Sequence, residues 1–427
     1  MRAPSASKGG RKRRRWRPFL RPREGRTLPP ELRAENVGSL ATGFPLGLRD
    51  PGFAHLLRRI DQAPILEGNR VAMFFEGAEA LRAMREAISE ATEEVLIESY
   101  IWKDDATGRG FLDVLGQAAG RGVAVRVLAD AFGSFAVRRA FWQAMRASGI
   151  EVRLFHPLFP HLLFQPFRDH RKILVVDRRI AFTGGMNIAD EYGSARGSSG
   201  GPWRDTHARV EGPVAWELAV VFSEAWNHAG DKPLELAPLE PGPQKGAAAL
   251  VLDSRPGRGH GETASVLAAI VAAARERVWI TNAYFAPRRR ALRILADAAA
   301  RGVDARLLLP GVSDVPLVRH AGHGNYAALL SRGVRVFEYQ AAILHAKTAV
   351  ADDFVSLVGS SNLDFRSFHF NAECNLVILD EAAGRTMAGA FERDLSRSVE
   401  ITLRTWRRRG LLHRVGDAAA RALGPLL

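Results

Sequence analysis

The 427-residue chain carries a formal charge of +14, is 47% hydrophobic and holds one cysteine. Its length and apolar content suffice for two domains with substantial cores, which excludes a wholly disordered or low-complexity chain. Cys374 alone cannot form an intrachain disulfide and reads as a packed thiol; with no apolar run of about eighteen residues and no apolar core behind the basic N-terminus, neither a membrane span nor secretion is expected.

Residues 1–68 read as a basic N-terminal arm and lead-in. Its densest stretch, Arg11-Lys-Arg-Arg-Arg-Trp-Arg-Pro-Phe-Leu-Arg-Pro-Arg23, interleaves cations with aromatic and aliphatic residues. An anionic membrane surface is the favoured partner, since a cation close to an acidic bilayer contributes about 1 kcal/mol. A solvated tail is the plain alternative. Nucleic acid is disfavoured, because the chain shows no base-reading or stacking platform.

Residues 69–228 form the first expected domain. Strand-like runs at Val95–Ile101 and Arg121–Leu128 flank an Ala-rich helix, which predicts crossover α/β units. Leu154–Phe167, rich in Pro and aromatics, reads as a loop, either an acyl-chain entrance or a plug under the sheet. After it comes His170-x-Lys172-x4-Asp177, then Gly184-Gly185-Met186-Asn187. The Gly/Ser stretch Gly193–Gly201 is too loose for a phosphate cradle and suits a lid. Trp203-Arg-Asp205-Thr-His-Ala-Arg-Val210 is a strand opened by an acid.

The Pro/Gly-rich residues 229–246 are the expected linker. Residues 247–400 repeat the plan, with Val278–Tyr284 and Arg301–Leu308 echoing the first-half strands. His345-x-Lys347-x4-Asp352 follows, then Gly359-Ser360-Ser361-Asn362 and the acid-bearing strand Asn371-Ala-Glu373-Cys-Asn-Leu-Val-Ile378. Residues 401–427 read as a basic amphipathic tail, lying on a membrane or docked on the core.

In both copies six residues separate the Asp from the following Gly. The site is therefore duplicated. Residues i and i+2 of a strand share a face, so each His projects with its Lys. The apolar runs on either side of Asp177 and Asp352 predict hairpins, so these two acids complete the motif near turns and brace the site rather than react. A His, a Lys and an Asn supply a nucleophile or proton carrier, a fixed cation and an amide donor, a set suited to a phosphate. Two such sets can clamp one phosphodiester: one imidazole attacks phosphorus while the other protonates the leaving alkoxide, and an ordinary pKa near about 6.5 serves both roles. Lys172, Lys347, Asn187 and Asn362 hold the nonbridging oxygens. No metal and no cofactor is expected, since the lysines supply the charge. An attacking imidazole needs an acceptor on its other nitrogen; by chain order Asp205 is assigned to His170 and Glu373 to His345, with Glu191 a competitor. His207, His320 and His323 are read as core or surface histidines rather than acceptor-lipid ligands.

On these paired motifs, the chain resembles the phospholipase D superfamily. Ile180–Asn187, Trp203–His207, Asn282-Ala-Tyr-Phe285 and Val358–Asp364 make it similar, from about residue 70 to about 400, to bacterial cardiolipin synthases of the type without N-terminal membrane helices. The resemblance implies an α/β fold of two pseudo-twofold-related domains, each a mixed β-sheet flanked by helices, with the site at their interface. It implies a phosphatidyltransferase that holds the phosphatidyl group on a histidine and passes it to phosphatidylglycerol, working peripherally at the cytoplasmic face of the membrane. Phosphatidylglycerol or phosphatidylethanolamine fits as donor. A phosphodiesterase using water, acting on lipid or nucleic acid, is the alternative. His170 is implied as nucleophile and His345 as general acid, although the residues alone treat them as equivalent. Gly185 departs from the Ser common at its position, which leaves Ser360 as the hydroxyl contact to phosphate.

Overall fold

The computed structural model describes residues 28–157, 167–193, 202–238, 245–255, 261–287 and 289–410, with residues 413, 416, 417 and 420. Arg11–Arg23, most of the apolar loop before His170 and nearly all of the Gly/Ser stretch lie outside the described residues.

Two short helices, α1 (Val37–Ala41) and α2 (Pro51–Asp61), lead into β1 (Leu66–Phe74) and α3 (Gly77–Glu90). The crossover units follow as β2 (Glu94–Ser99), α4 (Ala106–Gly120), β3 (Ala124–Asp130), α5 (Arg139–Ala147) and β4 (Glu151–Phe155). Then come β5 (Arg168–Asp169), the hairpin β6 (Lys172–Val176) and β7 (Ile180–Gly184), β8 (His207–Glu211) and α6 (Pro213–Ala229). The second half repeats the order as β9 (Ala247–Ser254), α7 (Glu262–Ala273), β10 (Arg277–Asn282), α8 (Arg289–Ala300), β11 (Asp304–Pro310), α9 (Pro316–Leu330) and β12 (Arg335–Tyr339). Its hairpin is β13 (Lys347–Ala351) and β14 (Val355–Gly359), followed by α10 (Phe365–His369), β15 (Asn371–Leu379) and α11 (Glu381–Leu395). β16 (Ser398–Ile401) and α12 (Leu403–Arg407) come last among the named elements.

The sixteen strands of the described residues join in one sheet, ordered β16-β12-β11-β10-β13-β14-β15-β9-β1-β8-β7-β6-β2-β3-β4, with β5 on the side of β15. Read outward from the antiparallel β1–β9 pair, both directions give the same sequence of equivalent strands as far as β4 and β12, beyond which β16 extends the second half. That is the pseudo-twofold relation. Within each half the strands joined by crossover helices run parallel, β2–β3–β4 and β10–β11–β12, while the motif hairpins pair antiparallel. The crossover helices cover one face of the parallel strands and α6 and α11 the other, so buried apolar side chains point to both faces, as in Val95-Leu-Ile97 and Leu307-Leu-Leu309.

Three cores result. One lies under α3, α4 and α5 in the first half. A second lies under α7 and α8 in the second half and also takes in Leu32, Val37, Phe53 and Leu57, so the lead-in packs on the second half rather than on the domain it precedes. The third is shared, with Phe222 and Trp226 of α6 and Met387 and Phe391 of α11 packed in one cluster with residues from the strands of both halves. The described part of the linker lies along α6, where the Trp216 indole N–H donates to the Ala237 carbonyl. The tail docks through Trp406, which is buried and stacks at 4.6 Å on Tyr326.

Each motif hairpin turns through two residues in the left-handed region, Asp177 and Arg178 (φ 50° and 55°) and Asp352 and Asp353 (φ 49° and 50°). Asp tolerates this conformation because its short side chain bonds nearby backbone. Here the Asp177 carboxylate accepts from the amides of Thr92, Glu93 and Glu94, and Asp352 accepts from those of Arg275, Glu276 and Arg277. These bonds pin the first residues of β2 and β10 to the hairpins.

Candidate active site

His170 and His345 stand two residues before the first residue of β6 and of β13, and the lysines open those strands. In the sheet register Lys172 faces Ser99 and Lys347 faces Asn282, at the carboxyl ends of β2 and β10. Ligands of open α/β sheets gather at that edge.

The acid partners are crossed relative to the chain-order assignment. His170 Nδ1 lies 2.9 Å from Glu373 Oε2, and His345 Nδ1 lies 2.7 Å from Asp205 Oδ2. The reason is backbone pairing between the halves. β5 runs parallel to the start of β15, and the His170 amide donates to the Ala372 carbonyl at 2.9 Å. Reciprocally, the His345 amide donates to the Arg204 carbonyl at 2.7 Å. Each histidine strand is thus stitched to the acid-bearing segment of the opposite half. Glu191 takes neither role, since its carboxylate pairs with Lys103.

With Nδ1 donating to a carboxylate, each ring presents Nε2 to the space between the halves as a neutral, basic nitrogen. Burial lowers the pKa of His170 to about 4 and that of His345 below its ordinary value, against the raising effect of their carboxylates. Both imidazoles are therefore neutral near pH 7 in the empty site, so the ordinary value assumed from sequence does not apply. For the acids, burial pushes upward, but the adjacent histidines and their hydrogen bonds hold Asp205 and Glu373 below their usual range.

Lys172 Nζ donates to the His170 carbonyl at 2.6 Å, and Lys347 Nζ donates to the His345 carbonyl. Both are almost fully buried, which lowers them to about 7 and about 8. A buried ammonium with an incomplete set of acceptors is a site for an anion that would recharge it.

The remaining expected residues fall into three groups. Asp177 and Asp352, members of the motif expected to brace the site from near turns, sit at the outer ends of the hairpins, roughly 16 Å of strand from the lysines. Their placement is architectural. Ser360 does not face phosphate either: its hydroxyl donates to Glu373 Oε2 at 2.5 Å and accepts from the Cys374 amide at 3.0 Å, and the residue is wholly buried. It fixes the carboxylate. Gly185, its counterpart, lies directly under Asp205, where an added Cβ would meet Oδ1 at 2.2 Å. Asn187 has both ends engaged, accepting from the Ile101 amide and donating to the Tyr192 hydroxyl at 2.9 Å, so it also departs from its expected phosphate role. Asn362 differs. Its side-chain oxygen is buried without a hydrogen-bond partner.

Sequence reading missed the aromatic walls. Tyr100 packs at 4.9 Å against His170 and lies under Lys172. His345 is enclosed by Trp203 at 5.4 Å, Tyr192 at 5.8 Å and Tyr284 at 6.1 Å, and the Tyr192 hydroxyl lies 3.2 Å from its Nδ1. A usable signal existed: Tyr100 and Tyr284 lie just beyond apolar strands whose last residues register against the motif lysines.

The family model described as "Cardiolipin synthase, PLD-like domain" matches residues 84–195 and 267–395, two segments that bracket the two motifs. The chain is 31% identical to cardiolipin synthase 1 of Bacillus anthracis over 97% of its length and 84% of that protein. It is 35% identical to cardiolipin synthase A of Pseudomonas syringae pv. syringae over 86% of its length and 77% of that protein. Among solved structures, phosphatidylserine synthase of Haemophilus influenzae superposes with a TM-score of 0.67 at 14% identity, covering 88% of this chain and all of that one. Polyphosphate kinase of Porphyromonas gingivalis superposes at 0.53 with 16% identity, over 86% of this chain and 54% of that one. At such identities the two structures speak for the fold alone.

Proposed function

We propose, from the premise that this chain belongs to the cardiolipin synthase family built on phospholipase D-like domains, that it transfers a phosphatidyl group through a phosphohistidine to phosphatidylglycerol, making cardiolipin. The observation that carries the reading is the crossed pair of carboxylate-bound imidazoles with two buried lysines between the halves.

His170 Nε2 attacks the phosphorus of the donor lipid, and the bond from phosphorus to the head-group oxygen breaks as His345 gives that oxygen its proton. Lys172 and Lys347 neutralise the nonbridging oxygens, on which charge is distributed in the transition state. The anionic phosphate, entering beside His345, raises its pKa and so supplies the protonated acid that the empty site lacks. In the second half-reaction neutral His345 takes the proton from a hydroxyl of phosphatidylglycerol, whose oxygen attacks phosphorus. The phosphorus–nitrogen bond breaks and His170 is regenerated. Phosphatidylglycerol or phosphatidylethanolamine serves as donor, since only the departing alcohol differs.

His170 fits the nucleophile because it faces one tyrosine, whereas the three aromatic rings around His345 suit the imidazolium that the general acid must become. The reading takes access to be peripheral, and among the described residues no helix is long and apolar enough to cross a membrane. Phe132 and Phe135, 46% and 72% exposed, follow β3 beside Gly133, which packs on Tyr100, so an apolar contact with lipid lies at the rim of the site. With the cationic arm, this directs the protein to an anionic membrane surface, on the cytoplasmic face.

The test is a product assay on phosphatidylglycerol vesicles with and without phosphatidylethanolamine, using the parent, His170→Ala and His345→Ala. Cardiolipin from the parent alone, with a phosphohistidine trapped in His345→Ala but not in His170→Ala, supports the reading and the assignment. Phosphatidic acid as the sole product makes the protein a hydrolase, and turnover of nucleic acid without lipid turnover removes the proposal.

A further inference from the structure

Away from the paired motifs, α9 carries His320 and His323 one turn apart, so both rings leave the same face of the helix. Asp417 of the C-terminal tail meets them there. Its Oδ1 lies 2.9 Å from His320 Nδ1 and 3.4 Å from His323 Nδ1, and the three residues can offer donor atoms within 4.8 Å of one another. Zinc with nitrogen and oxygen ligands at about 2.0–2.1 Å in a tetrahedron separates those ligands by about 3.4 Å. The observed spacing needs only small side-chain adjustments to match.

The groups behind these donors are arranged as at metal sites. His323 Nε2 lies 3.0 Å from Glu338 Oε1, which leaves Nδ1 as the free donor. Glu338 is in turn fixed by Arg319 and by the Tyr326 hydroxyl. Arg409 donates to Asp417 Oδ2 at 2.6 Å, so Oδ1 alone is turned toward the imidazoles. A carboxylate behind a histidine, fixing its tautomer and raising its basicity, is the usual support of a ligating imidazole.

From this geometry we propose that His320, His323 and Asp417 bind one divalent ion, with zinc the best match for two imidazoles and a carboxylate, and that the ion latches the C-terminal tail onto α9. Trp406 supplies the apolar part of the same latch, packing on His323 and Tyr326. The fourth position is left to water. Arg409 and Arg319 already balance the two carboxylates, so the affinity is expected to be weaker than that of closed structural zinc sites. The site takes no part in phosphatidyl transfer.

The experiment is a calorimetric titration of the chelator-stripped full chain with Zn2+, followed by Co2+ to read the d–d bands of a four-coordinate ion. One ion per chain is expected, weakened at least about tenfold in His320→Ala and Asp417→Asn, roughly 10-fold to 100-fold in Glu338→Gln, and unchanged in His55→Ala. His320 is half-exposed, so its replacement tests the site without opening the core. Zinc should also slow proteolysis of the tail in the parent and not in His320→Ala. A stripped protein that takes up no zinc, or equal affinity in the parent, His320→Ala and Asp417→Asn, overturns the proposal.

Discussion

The two halves of the site share strand order and motif register, yet they hold their histidines differently. His170 is oriented by a glutamate, itself fixed by Ser360 and by Asn371, whose amide lies 3.2 Å from Oε1. His345 is oriented by an aspartate, one methylene shorter, fixed by the Thr206 amide at 2.7 Å and seated on a bare glycine. Behind His170, Arg171 is buried among Asp253, Asp169 and Glu98; at the equivalent place behind His345 stands Ala346. The two imidazoles of the duplicated motif thus stand in different surroundings.

The largest effects should come from the crossed acids. Glu373→Gln should disable His170 and Asp205→Asn should disable His345, each lowering turnover by about ten-thousandfold, the size of loss found where a carboxylate that fixes a catalytic imidazole becomes an amide. What tests the crossing is the imidazole titration followed by 15N NMR. Each carboxylate raises the pKa of the histidine it touches. Removing Glu373 should therefore lower the pKa of His170 further and leave His345 nearly unchanged, and Asp205→Asn should do the reverse. A shift within the same half would restore the chain-order pairing.

The lysines come next. A folded-state pKa of about 7 for Lys172 and about 8 for Lys347, both lowered by burial, means that the free enzyme loses its phosphate-binding charge as pH rises through these values. His170, at about 4, becomes protonated only in acid. The profile of kcat/KM, which reports the free enzyme, should accordingly be highest on the acid side of neutrality and fall above about 7. Lys172→Arg keeps a permanent charge, so the alkaline limb should move up toward the Lys347 value of about 8 while kcat drops about tenfold. Stability runs with the opposite sign. Between about 7 and the ordinary lysine value of 10.5 the unfolded chain holds a proton that the folded chain has lost. The empty protein should therefore gain stability with rising pH across that window, and Lys172→Met should flatten the gain, as thermal melts would show.

Much of this was legible in the chain. The motif spacing, the hairpins and the repeated apolar strands are local patterns, and each folded as its periodicity predicts. The pairing of acid with histidine was not legible, because it depends on β5 and the Arg204 segment reaching across the pseudo-dyad, a contact between residues about 140 and 203 positions apart. Ser360 misled for the same reason. A serine beside a phosphate motif suggests a phosphate contact, but only the register of β14 against β15 shows its hydroxyl turned toward Glu373. The lowered lysines and histidines follow from depth, which composition does not encode.

The last comparison lies directly under the two acids, where the halves differ most simply. Gly185→Ser would add a Cβ at 2.2 Å from Asp205 Oδ1 and 2.6 Å from Oδ2, so the carboxylate must move. A shift of about an ångström in a positioning group can cost about a hundredfold in rate. Ser360→Ala asks for less. It deletes one hydrogen bond to an ionised carboxylate, of the kind that contributes about 1.5–3 kcal/mol, while Asn371 and His170 still hold Glu373. Turnover should fall by about tenfold with KM little changed, because the serine touches the carboxylate and not the lipid. A rise in KM with kcat intact would instead put the Ser360 hydroxyl on the phosphate, and the two halves would then differ in how they bind substrate rather than in how they hold their histidines.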